Sequence, residues 1–178
     1  LTDSRINAQM AGTGNTDVFV EATGHINFNS GVAIDLANNH NIFFHVTNTT
    51  TDVSSAQIFG PANGLAQISN LNPTDTGRVF FLVDVGTNAG KIDLSNVTVD
   101  GAAGGVFIVA PGNITVDKIS ANSGSGIVNI QTGGRIDRTT VLGNAQNIQG
   151  TQVLLKANGI ALVLQPSSGA VENLQRLN

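Results

Sequence analysis

Residues Gly105–Val116 read GVFIVAPGNITV, and Ile127–Arg138 read IVNIQTGGRIDR twenty-two positions later. Each is a short apolar strand, a Gly corner and a second apolar strand. Alternation of apolar and polar residues is the mark of a strand with one buried face, so the alternating positions can be tested for a fixed offset. Adding 22 to Val106, Ile108, Ala110, Gly112, Ile114 and Val116 gives Val128, Ile130, Thr132, Gly134, Ile136 and Arg138. Only Arg138 departs from the apolar or small pattern. Subtracting 88, four times 22, gives Val18, Val20, Ala22, Gly24, Ile26 and Phe28, which predicts a matching unit four turns earlier.

The next unit, Val153, Leu155, Ala157, Gly159, Ile160 and Leu162, arrives after a three-residue insertion near Asn144–Gln149 and with one residue fewer at its corner. A second inward pair recurs as Val97 and Val99, Ile119 and Ala121, then Val141 and Gly143. Each period therefore holds three short strands separated by Gly, Asn or Ser corners, where Gly permits positive φ and Asn tolerates it. Across 47–77 the register is lost, and that span reads as one or two units interrupted by an irregular loop, where a functional elaboration would sit.

A 22-residue unit of three strands cannot bury its apolar face alone. Stacking successive units at the strand spacing of about 4.8 Å lines the inward Val and Ile into continuous ladders. The expected fold is all-β, a β-solenoid read as a right-handed parallel β-helix of roughly six to eight coils, forming one domain over 1–178. A β-sandwich or jelly roll also spaces strands regularly, but has no reason to repeat residue type at one offset. The ending SSGAVENLQRLN breaks the pattern. With Val171, Leu174 and Leu177 at helical spacing, 166–178 reads either as a short helix capping the last coil or as a frayed tail.

Composition narrows the function. The net charge is −4 with 8 Lys and Arg and no basic block, so there is no electrostatic footprint for nucleic acid or an acidic membrane. Cys, Trp and Tyr are absent, which removes disulfides, a thiolate nucleophile and the usual sugar-stacking rings. The apolar runs Val79–Val83 and Ile160–Leu164 are far too short to span a bilayer. With Leu at position 1 and no charged and apolar leader, the chain is expected to be a mature product or an excised segment.

Candidate chemistry is sparse. His25, His40 and His45 would need to converge with a carboxylate such as Asp35 to bind metal or move protons; the surface reading is favoured for all three. A carbohydrate-active β-helix needs acids on neighbouring coils. Here Asp93 maps on to Thr115 and then Asp137, Asp100 on to Asn122, and no acid ladder forms. Ice binding would need a rank of outward Thr, whereas the outward positions Phe107, Asn129 and Leu154 mix apolar and polar residues. No catalytic, cofactor-binding or metal-binding residue is assigned.

The repeats GKIDLSNVTVDGAAGGVFIVAPGNITV, DKISANSGSGIVNIQTGGRID and QGTQVLLKANGIAL resemble those of the filamentous haemagglutinin family of bacterial two-partner-secreted exoproteins. IFGPANGLAQI (Ile58–Ile68) is loosely similar to that family's NPNG-[IV] motif, differing at Gly60-Pro61-Ala62 ahead of Asn63-Gly64. The resemblance implies a secreted or surface-displayed β-helix acting as an adhesin or fibre shaft without catalysis or cofactor. The expected interaction surface is Phe107, Asn129 and Leu154 on one face, with Phe59 and Asn63 in the irregular span. Its expected partners are further copies, stacked head to tail or laterally, or host and neighbour surface proteins and glycans. The rival expectation is a carbohydrate-active β-helix such as a polysaccharide lyase or a phage tailspike module.

Overall fold

Sixteen strands and one helix make up the computed structural model, which describes residues 3–12, 17–47, 56–70, 72–84, 90–121, 126–139, 148–161 and 174–176. In chain order these are α1 (Asp3–Met10), β1 (Val18–Ala22), β2 (His25–Asn27), β3 (Ala33–Leu36), β4 (Ile42–Thr47), β5 (Gln57–Phe59), β6 (Ala66–Asn70), β7 (Val79–Asp84) and β8 (Lys91–Asp100). They continue as β9 (Val106–Ala110), β10 (Ile114–Ala121), β11 (Ile127–Thr132), β12 (Arg135–Arg138), β13 (Ile148–Gly150), β14 (Gln152–Ala157), β15 (Gly159–Ala161) and β16 (Leu174–Arg176). Every strand pair among the described residues is parallel. The first sheet runs β1-β4-β7-β9-β11-β14-β16; the second runs β15-β12-β10-β8-β5-β2, with β3, β6 and β13 joined to it through β6, β8 and β10. The chain is all-β, as the alternation predicts.

The twenty-two-residue offset is a true pairing register. Val106 lies beside Val128, Ile108 beside Ile130 and Ala110 beside Thr132, while Ile114 lies beside Ile136 and Val116 beside Arg138. The later unit also falls as expected at Val128, which pairs with Val153 twenty-five residues on, and at Ile136, which pairs with Ile160 twenty-four on, while Gly159 stands against Arg135 rather than Gly134.

Three expectations need correction. Val18 reaches Val106 through Ile42 and Val79, three strand steps where the offset of 88 implied four. The step from Ile42 to Val79 takes thirty-seven residues and contains β5 and β6, so the span 47–77, read as one or two units interrupted by a loop, supplies two paired strands to the second sheet; residues 48–55 lie outside the described residues. Second, Ile119 pairs with Val99, and Ser120 rather than Asn122 stands against Asp100, because the β8–β10 register shifts between Val116 and Lys118. On the other side Ile119 meets Ile148, where Val141 was expected; Val141 and Gly143 lie outside the described residues. A two-residue shift keeps every side chain on its own face, so alternation cannot detect it. Third, Leu174–Arg176 is not helical but a strand, β16, paired with β14; residues 162–173 lie outside the described residues.

Inward positions stack type on type. Ile58, Ile92, Ile114 and Ile136 follow one another in register and all are at most 1% exposed. Each such side chain contributes about 1.5–3 kcal/mol by leaving water, and β-branched residues suit the extended backbone that carries them. In the first sheet Phe44 and Phe81 stack at 5.2 Å with Phe28 edge-on at 4.9 Å to Phe44. Thr132 is polar at an inward position, and its hydroxyl donates to the Gly112 carbonyl while accepting from the Gly134 amide at 2.9 Å.

Corners leave backbone groups without strand partners, and side-chain amides and carboxylates supply them. Asp17 Oδ1 accepts from the Asn41 backbone and side-chain amides at 3.1 and 3.0 Å, and Asn41 Oδ1 accepts from the Arg78 amide at 3.0 Å. Asn38, Asn39 and Asn96 hold φ near +60°, the left-handed conformation that Asn tolerates best after Gly.

Helix α1 covers one end and was not anticipated. Ile6 and Met10, four apart and so on one helix face, are buried, and the helix packs on β3 and β1. The Asn7 side chain completes the job on β3. Its Nδ2 donates to the Ala33 carbonyl at 2.9 Å and its Oδ1 accepts from the Asp35 amide at 3.0 Å, so one amide stands in for a neighbouring strand.

Ile114→Ala is expected to lower unfolding free energy by about 2–5 kcal/mol in chemical denaturation, while exposed Lys118→Ala changes it by less than about 0.5 kcal/mol. Asn7→Ala is expected to cost about 1 kcal/mol and to accelerate hydrogen exchange selectively at the Asp35 amide.

Candidate interaction surface

Strand alternation turns one residue in two of the first sheet outward, and parallel register lines these into columns. Phe19, Phe43, Phe80, Phe107, Asn129 and Leu154 form one such column. Phe107, Asn129 and Leu154, expected on one face, do lie side by side. Three further aromatics extend them in the other direction: Phe19–Phe43 at 4.5 Å and 4°, Phe43–Phe80 at 4.4 Å and 4°, and Phe80–Phe107 at 5.0 Å and 19°. The Arg78 guanidinium lies 5.5 Å from the Phe107 ring centroid, within cation–π reach. The extension was hidden by unequal circuit lengths, yet IFFHV and VFFLV each carry adjacent Phe residues, one for the core and one for the outside.

Beside this column run Glu21, His45, Leu82, Val109, Gln131 and Lys156. Phe19 is 61% and Val109 40% exposed. Gly105, at φ +102°, adds no side chain on the opposite flank, and a Cβ there would meet the Ile127 carbonyl at 2.4 Å. A depression of about 490 Å³ lies on this flank, bordered by Arg78, Gly104, Ile127 and Gln152. A second, of about 290 Å³, lies beside Val109, Gln131 and Lys156.

Phe59 and Asn63 do not join this face. Phe59 lies in the second sheet between Asn27 and Asp93, its ring edge-on to His25 at 6.2 Å, and Asn63 is exposed in the turn before β6.

Among the described residues the histidines and carboxylates do not converge on one site. His45 Nδ1 is 3.3 Å from Glu21 Oε1. His40 is buried rather than on the surface, its Nε2 3.0 Å from the Gly12 carbonyl just past α1. Asp35 lies on β3 beside Ser69. Among the described residues no three His, Cys, Asp or Glu side chains gather as a metal site would require. Thr115 separates Asp93 from Asp137 in register, as expected. Asp93 Oδ1 is engaged by the Ser95 hydroxyl at 2.5 Å, and Asp137 by Arg135 at 3.3 Å. Asp117, at the β10 irregularity, is buried, and that burial raises its pKa against the lowering influence of the Thr139 hydroxyl and the Asn96 backbone.

What this surface can do is make non-covalent contact. The stacked Phe43 and Phe80 rings cover each other's faces and present their rims, which suits apolar protein contact better than flat stacking on a sugar. Among the described residues no helix is long and apolar enough to cross a membrane. Comparisons with protein-family models, curated proteins and solved structures return no match.

Because Asp117 binds its proton more tightly folded than unfolded, stability is expected to fall as pH rises from the ordinary carboxylate pKa through its raised one. Asp117→Asn removes that decline. Thermal melts should show the variant gaining on the parent protein between pH 4 and pH 7; an unchanged difference would show that Asp117 carries no such linkage.

Proposed function

We propose that the chain is a β-solenoid, wound as a right-handed parallel β-helix, and that it serves as a non-catalytic structural and adhesive module. The reading places it outside the cell or on a bacterial surface, in the manner of filamentous haemagglutinin repeats. Support for the winding comes from the way the chain alternates between two parallel sheets, adding a strand to the first on each return. Crossovers between parallel strands of one sheet are right-handed in about 98% of cases. The observation that carries the function is the outward column Phe19–Phe43–Phe80–Phe107 with Leu82 and Val109 beside it. Contiguous outward apolar surface of this kind marks a place where another protein is met.

The carbohydrate-active rival draws less support. It asks for acids on adjacent circuits in one groove, whereas Thr115 interrupts Asp93 and Asp137.

Biosensor binding to immobilised surface proteins, glycans and the chain itself, with parallel assays for new reducing ends on polysaccharides, tests the reading. Saturable binding without cleavage is expected. Binding to nothing, or release of reducing ends, overturns it.

A further inference from the structure

The outward face of the first sheet has a charge order that selects its occupant. In the column beside the aromatics, Glu21 stands at the β1 end and Lys156 at the β14 end, with Leu82 and Val109 at the centre. Five strand steps of about 4.8 Å separate the two charges by about 24 Å. On the far flank Asp17 lies beside Asn41 at the same end as Glu21. The four Phe rings of the neighbouring column keep nearly one orientation, their planes 4°, 4° and 19° apart down four strands, so the apolar part of the face is regular along the stack.

We propose that this face pairs with the same face of a second copy, related by a two-fold axis that runs along the strand direction between β7 and β9. Such an isologous contact is self-complementary. Each column then meets itself reversed. Glu21 faces Lys156 of the second copy, Phe19 faces Leu154, and Leu82 faces Val109 at the centre, with β16 overhanging the β1 edge. The other in-plane axis, parallel to the stack, brings Asp17 against Glu21 twice and sets Arg78 on Leu82. Charge therefore chooses the antiparallel arrangement. The inference rests on the reading of this face as a contact surface, and names what it contacts.

Sedimentation equilibrium of the whole chain across a concentration series tests it. A reversible dimer is expected. Val109→Asp, at an exposed position, abolishes it while circular dichroism and thermal melting stay near those of the parent. Glu21→Lys and Lys156→Glu each weaken the dimer by roughly tenfold, from the loss of two attractive surface pairs and the gain of two repulsive ones. The double exchange restores it. A chain that stays monomeric, whether or not the face binds a glycan or another surface protein in the biosensor panel, overturns the proposal. So does a dimer that survives Val109→Asp, or a double exchange no tighter than the single ones. Failure of the dimer with binding retained in the panel would leave the contact-surface reading standing.

Discussion

Everything in this molecule depends on the in-register parallel hydrogen-bond ladder between each strand and its neighbours in the two sheets. In such a ladder a residue's nearest side-chain neighbours are the residues on the adjacent parallel strands, on the same face and at the same height. A size mismatch in one circuit is felt at once by two others. Like on like is the solution that fits without voids, and Ile58, Ile92, Ile114 and Ile136 adopt it. The same constraint acts outside, where it has no packing purpose, and so it stacks Phe19, Phe43, Phe80 and Phe107 into a rod of rings.

The corners obey a different rule. There the backbone turns away from the ladder, and its donors and acceptors need partners within reach. Asn offers both in one short planar group, which is why Asn41 can accept from Arg78 while donating to Asp17. An abundance of Asn and Gly with few charges thus follows from how often this chain turns. Near the β4–β7 circuit Asp75 plays the same part, accepting from the Asn39 and Gly77 amides at 3.0 and 2.8 Å.

Alternation and one offset were enough to read the β9–β11–β14 pairing to the residue, insertion included. They failed where circuits change length. A period of two is blind to an even shift, so the slip at Val116–Lys118 left no trace in the pattern. A circuit of thirty-seven residues looked like lost register because β5 and β6 are short and separated by a turn. The outer aromatic column was half legible for the same reason, Phe107 and Leu154 lying in the regular part and Phe19, Phe43 and Phe80 beyond it. Helix α1 was legible in principle, since Ile6 and Met10 have helical spacing. A search tuned to strands passed over it, and it also missed the burial of His40, whose ring meets the Gly12 carbonyl just past that helix.

Asn7 has a consequence for how such a molecule can change its length. A column of parallel strands carries no intrinsic count, since each strand offers the next the same edge. On the β3 column, the two hydrogen bonds from one side-chain amide close that edge at a particular rung. One end of the column is therefore set at a single position in the chain, and duplication of interior strands would lengthen the stack without disturbing that end.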